Sequence, residues 1–338
     1  MKLRLILFLF LTINLSSFGQ APKTPNDYGL KSYALNDKKL GRIKFYVTKN
    51  KIENKKPLLV LLDGSGHLPL YSLIKKEDGS SEIYGSMPFK YAKLSEKFHV
   101  VLISKPGTPF LDSLNVSSYD KFLEIYQPSK EYNDKLSLGW RVCSASKIID
   151  YLSKKINIDN KNIIAIGYSE GGQVVSKLAI KNKKITKIVS IVGGGLNQLN
   201  DFITTERLKA QKGLISSDSA QTNIDSLYEQ FKDIYKYPNA TDRFWLGHTY
   251  KRWASFCKES SLENMLKLKI PILQVASAYD ENSPITGNDF TKLEFIKQGK
   301  TNLTYKVYPN CDHWFNDQKQ ETNRLEEMMN YVIEWVEK

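Results

Sequence analysis

Cysteine is scarce in this 338-residue chain: Cys143, Cys257 and Cys311 are all it has. Three are too few for a disulfide scaffold, no C-x-x-C occurs, and no His/Cys cluster has the spacing of a zinc site. In an oxidising compartment two could pair and leave one over, but as single residues they read as buried small hydrophobes. Proline (12) and glycine (19) stand at ordinary levels, which excludes collagen-like and proline-rich chains. No basic block is interleaved with stacking aromatics, although 49 Lys+Arg outnumber 36 Asp+Glu for a net charge of +13. The lysines are scattered in ones and twos, the pattern of a solvated surface rather than a nucleic-acid groove. Internal repeats and phosphate loops are also missing.

What is present is the composition of a folded domain, 41% hydrophobic and 12% aromatic, long enough to bury a core without disulfides or metals. The first residues have the layout of a signal peptide. Lys2 and Arg4 precede an unbroken apolar run from Leu5 to Leu11, and Ser17 and Gly19 place small residues at −3 and −1 of a cut before Gln20. That run is far shorter than the ~20 residues a bilayer span requires. The expectation is an exported protein, periplasmic or secreted, with residues 1–19 removed and no stable membrane insertion.

Residues 20–37 read as a polar, irregular lead-in. Beyond them, apolar runs alternate with helical patterns. Arg42 to Thr48 and Leu303 to Tyr308 alternate in polarity, as half-exposed strands do. Pro57 to Leu62, Val100 to Ser104, Asn162 to Ile166, Lys187 to Val192 and Pro271 to Ala276 are continuous apolar runs, the signature of strands covered on both faces. Between them Val142, Ala145, Ile149 and Leu152 fall on one helical face. So do Val174, Leu178 and Val175, Ala179, and near the end Leu325, Met328, Met329, Val332 and Val336. The alternation predicts one doubly wound, mostly parallel α/β domain over 20–338. Two stretches break it. Residues 107–138 are polar and aromatic, and about 196–268 carry helical patterns, including Asp225 to Tyr235 and Thr249 to Phe256. Neither can be a bare loop, and the second reads as a helical insertion.

The most informative segment is NIIAIGYSEGGQVVSKLA, residues 162–179. A strand runs into Gly167-Tyr168-Ser169-Glu170-Gly171 and a helical pattern follows at once. Gly-x-Ser-x-Gly in that context is a nucleophile elbow, which lifts a serine hydroxyl above the sheet edge. Here the sequence resembles the α/β-hydrolase superfamily, whose order is Ser, then an acid, then His. The run from Pro271 ends in Asp280, with Glu281, Asp289 and Asp312 as nearby rivals. The strand from Tyr305 is followed by His313. A serine needs an imidazole to take its proton, and the imidazole needs a carboxylate to fix its tautomer. Of four histidines, His99 precedes a buried strand, His248 lies before the acid, and His67 stands beside an early glycine loop. His313 is therefore the predicted base.

The resemblance further implies an oxyanion hole from two backbone N–H groups, one of Glu170 and one of Ser65 or Gly64 in Asp63-Gly64-Ser65-Gly66-His67, where lipases often carry His-Gly-Gly-Gly. It implies a serine esterase, dienelactone-hydrolase-like or small serine-peptidase-like, with a helical cap at about 196–268. The substrate would be a small-molecule ester, thioester or other acyl compound, cleaved through an acyl-enzyme with no cofactor or metal. An ester is favoured over a peptide because no β-propeller segment stands ahead of the catalytic pattern, as it does in prolyl oligopeptidases. The competing class, an inactive cap-gated binding protein, is opposed by the intact serine, acid and histidine. Phe244, Trp245, Tyr250, Trp253 and Phe256 either line the site or form the insertion's own core.

Overall fold

The computed structural model describes residues 24–338, and the predicted signal peptide lies outside them. Eight strands form the central sheet: β1 (Leu30–Asp37), β2 (Gly41–Thr48), β3 (Lys56–Leu62), β4 (His99–Ile103), β5 (Ile158–Tyr168), β6 (Lys187–Ile191), β7 (Ile272–Ser277) and β8 (Leu303–Tyr308). Their order is β1-β2-β4-β3-β5-β6-β7-β8. β2 runs antiparallel to both β1 and β4, and every other pair is parallel. The predicted apolar runs are these strands. The lead-in needs correction, because Leu30–Asp37 pairs with β2 along its whole length. Only Leu30 of that strand is buried, so as a mostly exposed edge it lacks the hydrophobic run that marks the others.

Alternate residues of each strand enter opposite cores, as the two-residue period requires. Leu58, Val60 and Leu62 pack with α1 (Leu138–Lys155) and α2 (Glu170–Lys181). Leu59 and Leu61 face the other way, onto the core that contains the last helix (Leu325–Glu337). The helical stripes read from the sequence are those buried faces.

Two additions sit on this frame. Tyr71–Lys75, Ser81–Gly85 and Leu111–Asn115 make a separate three-stranded sheet, none of it foreseen in detail. Residues 196–268 hold α3 (Gln198–Gln211), α4 (Ser217–Lys236), α5 (Tyr250–Phe256) and α6 (Ser261–Leu266). Tyr250, Trp253 and Trp245 join Leu199, Phe231 and Ile234 in a small cluster within this segment. Phe256 packs into the main core, while Phe244 is exposed. Most of those aromatics therefore serve packing. Cys257 and Cys311 are buried as expected, Cys143 is only partly so, and all three are free thiols.

Candidate active site

Ser169 occupies the sharp turn between β5 and α2 with φ 52° and ψ −122°, a conformation strained for any residue with a side chain. The surrounding glycines explain how the turn is tolerated. A Cβ on Gly167 would lie 2.0 Å from the Gly171 carbonyl oxygen, and one on Gly171 would lie 2.1 Å from that of Leu62. A Cβ on Gly172 would lie 2.7 Å from the Gly193 Cα, still too close to be accommodated. The motif's glycines are thus dictated by backbone-on-backbone contact between α2, β3 and β6.

The structure brings Asp280 and His313 to this turn. His313 Nε2 stands 3.1 Å from Ser169 Oγ, and His313 Nδ1 stands 2.7 Å from Asp280 Oδ2. Asp280 follows β7, and its other oxygen accepts the backbone N–H groups of Asn282 and Ser283, both at 2.8 Å. Those two donors and the imidazole engage both oxygens of the carboxylate and fix its plane. An Nδ1–H donated to Asp280 leaves the Nε2 lone pair facing the serine hydroxyl. The loop carrying His313 is held by Tyr168, whose hydroxyl donates to the His313 carbonyl at 2.7 Å. Trp314 stands edge-on to the imidazole, with ring centroids 5.0 Å apart.

The rival residues have other places. Glu281 is exposed and meets Lys212 at 3.4 Å. Asp289 accepts from the Tyr305 hydroxyl, and Asp312 accepts the backbone N–H groups of Trp314 and Asn316. His99 is sealed against the carbonyls of Asn54 and Asn157. His67 contacts the Tyr126 carbonyl.

The loop after β3 lies against Ser169, and a Cβ on Gly64 would sit 3.4 Å from Ser169 Cβ. Its carbonyls are clamped from behind. Arg141 donates to the carbonyls of Asp63 (2.7 Å) and Gly64 (3.3 Å), and Lys105 to that of Gly66 (2.9 Å). In a trans peptide the N–H points opposite the preceding C=O. Holding the Gly64 carbonyl toward Arg141 therefore turns the Ser65 N–H the other way. Glu170 opens α2, where backbone N–H groups have no partner within the helix.

Behind both loops lies a charged cluster that sequence reading missed. Arg141 meets Asp63 and Glu170, each at 2.7 Å, and Lys105 meets the other oxygen of Asp63 at 2.8 Å. Arg252, from α5, reaches the second oxygen of Glu170 through Nη2 and through Nε at 3.1 Å. All five residues are buried. Burial alone would raise the Glu170 carboxyl, but the charges of Arg252, Arg141 and Lys105 outweigh it and hold the pKa at about 2. Among the described residues no group of three His, Cys, Asp or Glu side chains is placed to hold a metal ion, and no helix is long and apolar enough to cross a membrane.

Comparison with solved structures finds the same fold in α/β hydrolases. Acylaminoacyl peptidase from Pyrococcus horikoshii superposes with a TM-score of 0.52 at 13% identity, over 90% of this chain and 40% of that one. A proposed dienelactone hydrolase from Klebsiella pneumoniae gives 0.52 at 11% identity, over 91% and 99%. The α/β hydrolase GrgF from a Penicillium species gives 0.53 at 10%, over 91% and 97%. The chain thus spans only about two fifths of the length of the acylaminoacyl peptidases it resembles. No curated protein sequence matches it. The sequence profile of the prolyl oligopeptidase family matches residues 139–338, from α1 through the elbow to the last helix. The chain belongs to the prolyl oligopeptidase family, and with it to the α/β-hydrolase superfamily.

Proposed function

We propose that the protein is an exported serine hydrolase that cleaves carboxylic esters or thioesters through an acyl-enzyme formed on Ser169. The observation that carries the reading is the continuous chain from Ser169 Oγ through His313 to Asp280, at 3.1 and 2.7 Å. Ser169 attacks the acyl carbonyl while His313 Nε2 takes its proton. Asp280 orients the imidazole and stabilises it once charged. The oxygen that becomes anionic is held by the N–H groups of Ser65 and Glu170, preorganised by the clamped loop and the opening of α2. His313 then passes the proton to the leaving group. Water enters, gives a proton to the same nitrogen and attacks the acyl-enzyme, and the acid departs as Ser169 regains its hydrogen.

The alcohol of an ester leaves more readily than the amine of a peptide and asks less of this constellation, which favours the ester reading. Peptide cleavage is the second reading, favoured by the family match. Residues 196–268 act as a cap over the site, since α3 and α5 reach the acid loop and the elbow: Thr205 donates to the Glu281 carbonyl at 2.9 Å, and Arg252 grips Glu170. Export rests on the Lys2–Gly19 layout.

A kinetic panel separates the readings. The purified protein should turn over short p-nitrophenyl esters with a kcat/KM at least about 100-fold above that for aminoacyl p-nitroanilides. The reverse preference would replace esterase by peptidase. Intact mass of the exported protein should show loss of residues 1–19, give or take a few; retention of the leader in a cytoplasmic product would remove export from the proposal.

A further inference from the structure

The buried cluster behind the site has a charge imbalance. Its members from the sheet, its loops and α1–α2 are Asp63, Lys105, Arg141 and Glu170, two acids and two bases, and they balance by themselves. Arg252 is the fifth member, and it comes from the 196–268 segment. It is 2% exposed, and its Nη1 is sealed with no hydrogen-bond partner. Its guanidinium lies over the rings of Trp253 and Phe256, at 4.2 and 4.9 Å.

The other titratable groups facing this cluster do not answer that charge. Burial pushes the Tyr132 hydroxyl far above its usual range and leaves it neutral. Burial, with Arg252 beside it, holds His248 at about 3, so it too is neutral near pH 7. His67 is pulled down by burial as well. Burial pulls Lys105 below its usual range while Asp63 at 2.8 Å opposes that shift, and with Lys105 as an ammonium the cluster carries one positive charge in excess. A buried pair needs no third charge for its own stability, and an unanswered buried cation is costly. Such a cost is retained where a site gains from it.

We propose that Arg252 is a positioning residue for the oxyanion hole: it fixes the residue that follows the nucleophile and places one unanswered positive charge behind the atoms that become anionic. The inference rests on the reading of Ser169 as a nucleophile. Glu170 is the residue through which it acts. The Glu170 carboxylate is gripped by Arg141 on one oxygen and Arg252 on the other, so its backbone N–H cannot swing. In a water-poor interior, a nearby cation stabilises a developing anion more than it stabilises the neutral ground state. The effect therefore belongs in kcat rather than KM. Because Arg252 arrives on α5, only a protein with this segment docked has the complete charge set, which ties the seating of the segment to turnover.

The test uses the full-length protein and whichever small p-nitrophenyl ester it turns over fastest. Arg252→Met should lower kcat about 30-fold or more while KM changes less than about threefold, with a cooperative thermal transition retained. Arg252→Lys keeps the charge but loses the two-pronged contact with Glu170, and should recover part of that loss, standing about fivefold below wild type. A merely structural arginine would give the two variants the kcat of wild type once folded, or a change in KM alone, and either result overturns the inference. If Arg252→Met does not fold, the Lys variant decides, and wild-type kcat in it is the contradicting result. Labelling by a fluorophosphonate separates this from the underlying reading. Wild-type protein that takes no label overturns both. Wild-type protein that labels, with Arg252→Met labelling at the same rate, overturns the role of Arg252 alone.

Discussion

The hydroxyl of Tyr168, the residue immediately before Ser169, donates to the backbone carbonyl of His313 at 2.7 Å. Both residues are buried, so the elbow and the loop bearing His313 are joined by a hydrogen bond that water does not contest. The side chain of the residue before Ser169 thus holds the backbone of His313 itself, which keeps the serine and the imidazole face to face.

Removing that tie should loosen the 3.1 Å approach of His313 to Ser169. Tyr168→Phe leaves the ring in place and removes only the hydroxyl. The expected result is a kcat about 10-fold lower, a KM changed much less, and a loss of stability of about 1–2 kcal/mol. Steady-state kinetics and urea unfolding read both quantities. Unchanged kcat in a destabilised protein would limit Tyr168 to a structural role.

Asp280 accepts from His313 and from two backbone amides at once. Asp280→Asn presents an amide where the imidazole N–H must donate, which favours the wrong tautomer. The fall in kcat should be on the order of 10⁴-fold, measured on the best ester. A near-normal Asp280→Asn, with a large loss in Glu281→Gln instead, would move the role by one residue.

Stability should decline in acid for reasons visible at several buried groups, Glu170 and His99 among them. Glu170 is held at about 2, below its unfolded value near 4.5, so its contribution is fully present above about 4.5 and is lost as pH falls toward 2. His99 is pulled below its usual 6.5 by burial, so the unfolded chain takes up that proton first and stability falls as pH drops below about 6.5. The two effects share a sign. The urea midpoint of wild type should fall steadily from pH 7 to pH 3. Glu170→Gln should start lower, with its gap to wild type narrowing toward pH 3. A gap of constant width would show that the Glu170 charge is not what stabilises the cluster.

The parts legible in sequence are those whose physics is local. β5, the elbow and α2 announce themselves because an apolar strand, close-packed glycines and a helical stripe follow one another within 18 residues. Asp280 follows the continuous apolar run of β7 and His313 the alternating strand β8, each where the strand gives way to a polar turn. The charged cluster was not legible, because Asp63, Lys105, Arg141, Glu170 and Arg252 are far apart in the chain and each looks like an ordinary surface charge. α3 escaped notice for a related reason: only Leu199 and Asp201 of its 14 residues are buried, so it shows no stripe. The small sheet was half-visible. Gly79, with φ 81°, turns the hairpin between Tyr71–Lys75 and Ser81–Gly85, and Asp78-Gly79 is the kind of pair that marks such a turn.

On the proposed function, His313 makes Ser169 a nucleophile in front of an oxyanion hole. A fluorophosphonate forms a tetrahedral adduct whose oxygen is held by the same donors that hold the acyl-transfer transition state, so an ordinary exposed serine stays inert. Incubation at neutral pH followed by peptide mapping should place one phosphonyl group per chain on Ser169. Labelling should vanish in Ser169→Ala and slow steeply in His313→Ala. No adduct on the folded wild-type protein, or an adduct on another serine that persists in Ser169→Ala, would contradict the account.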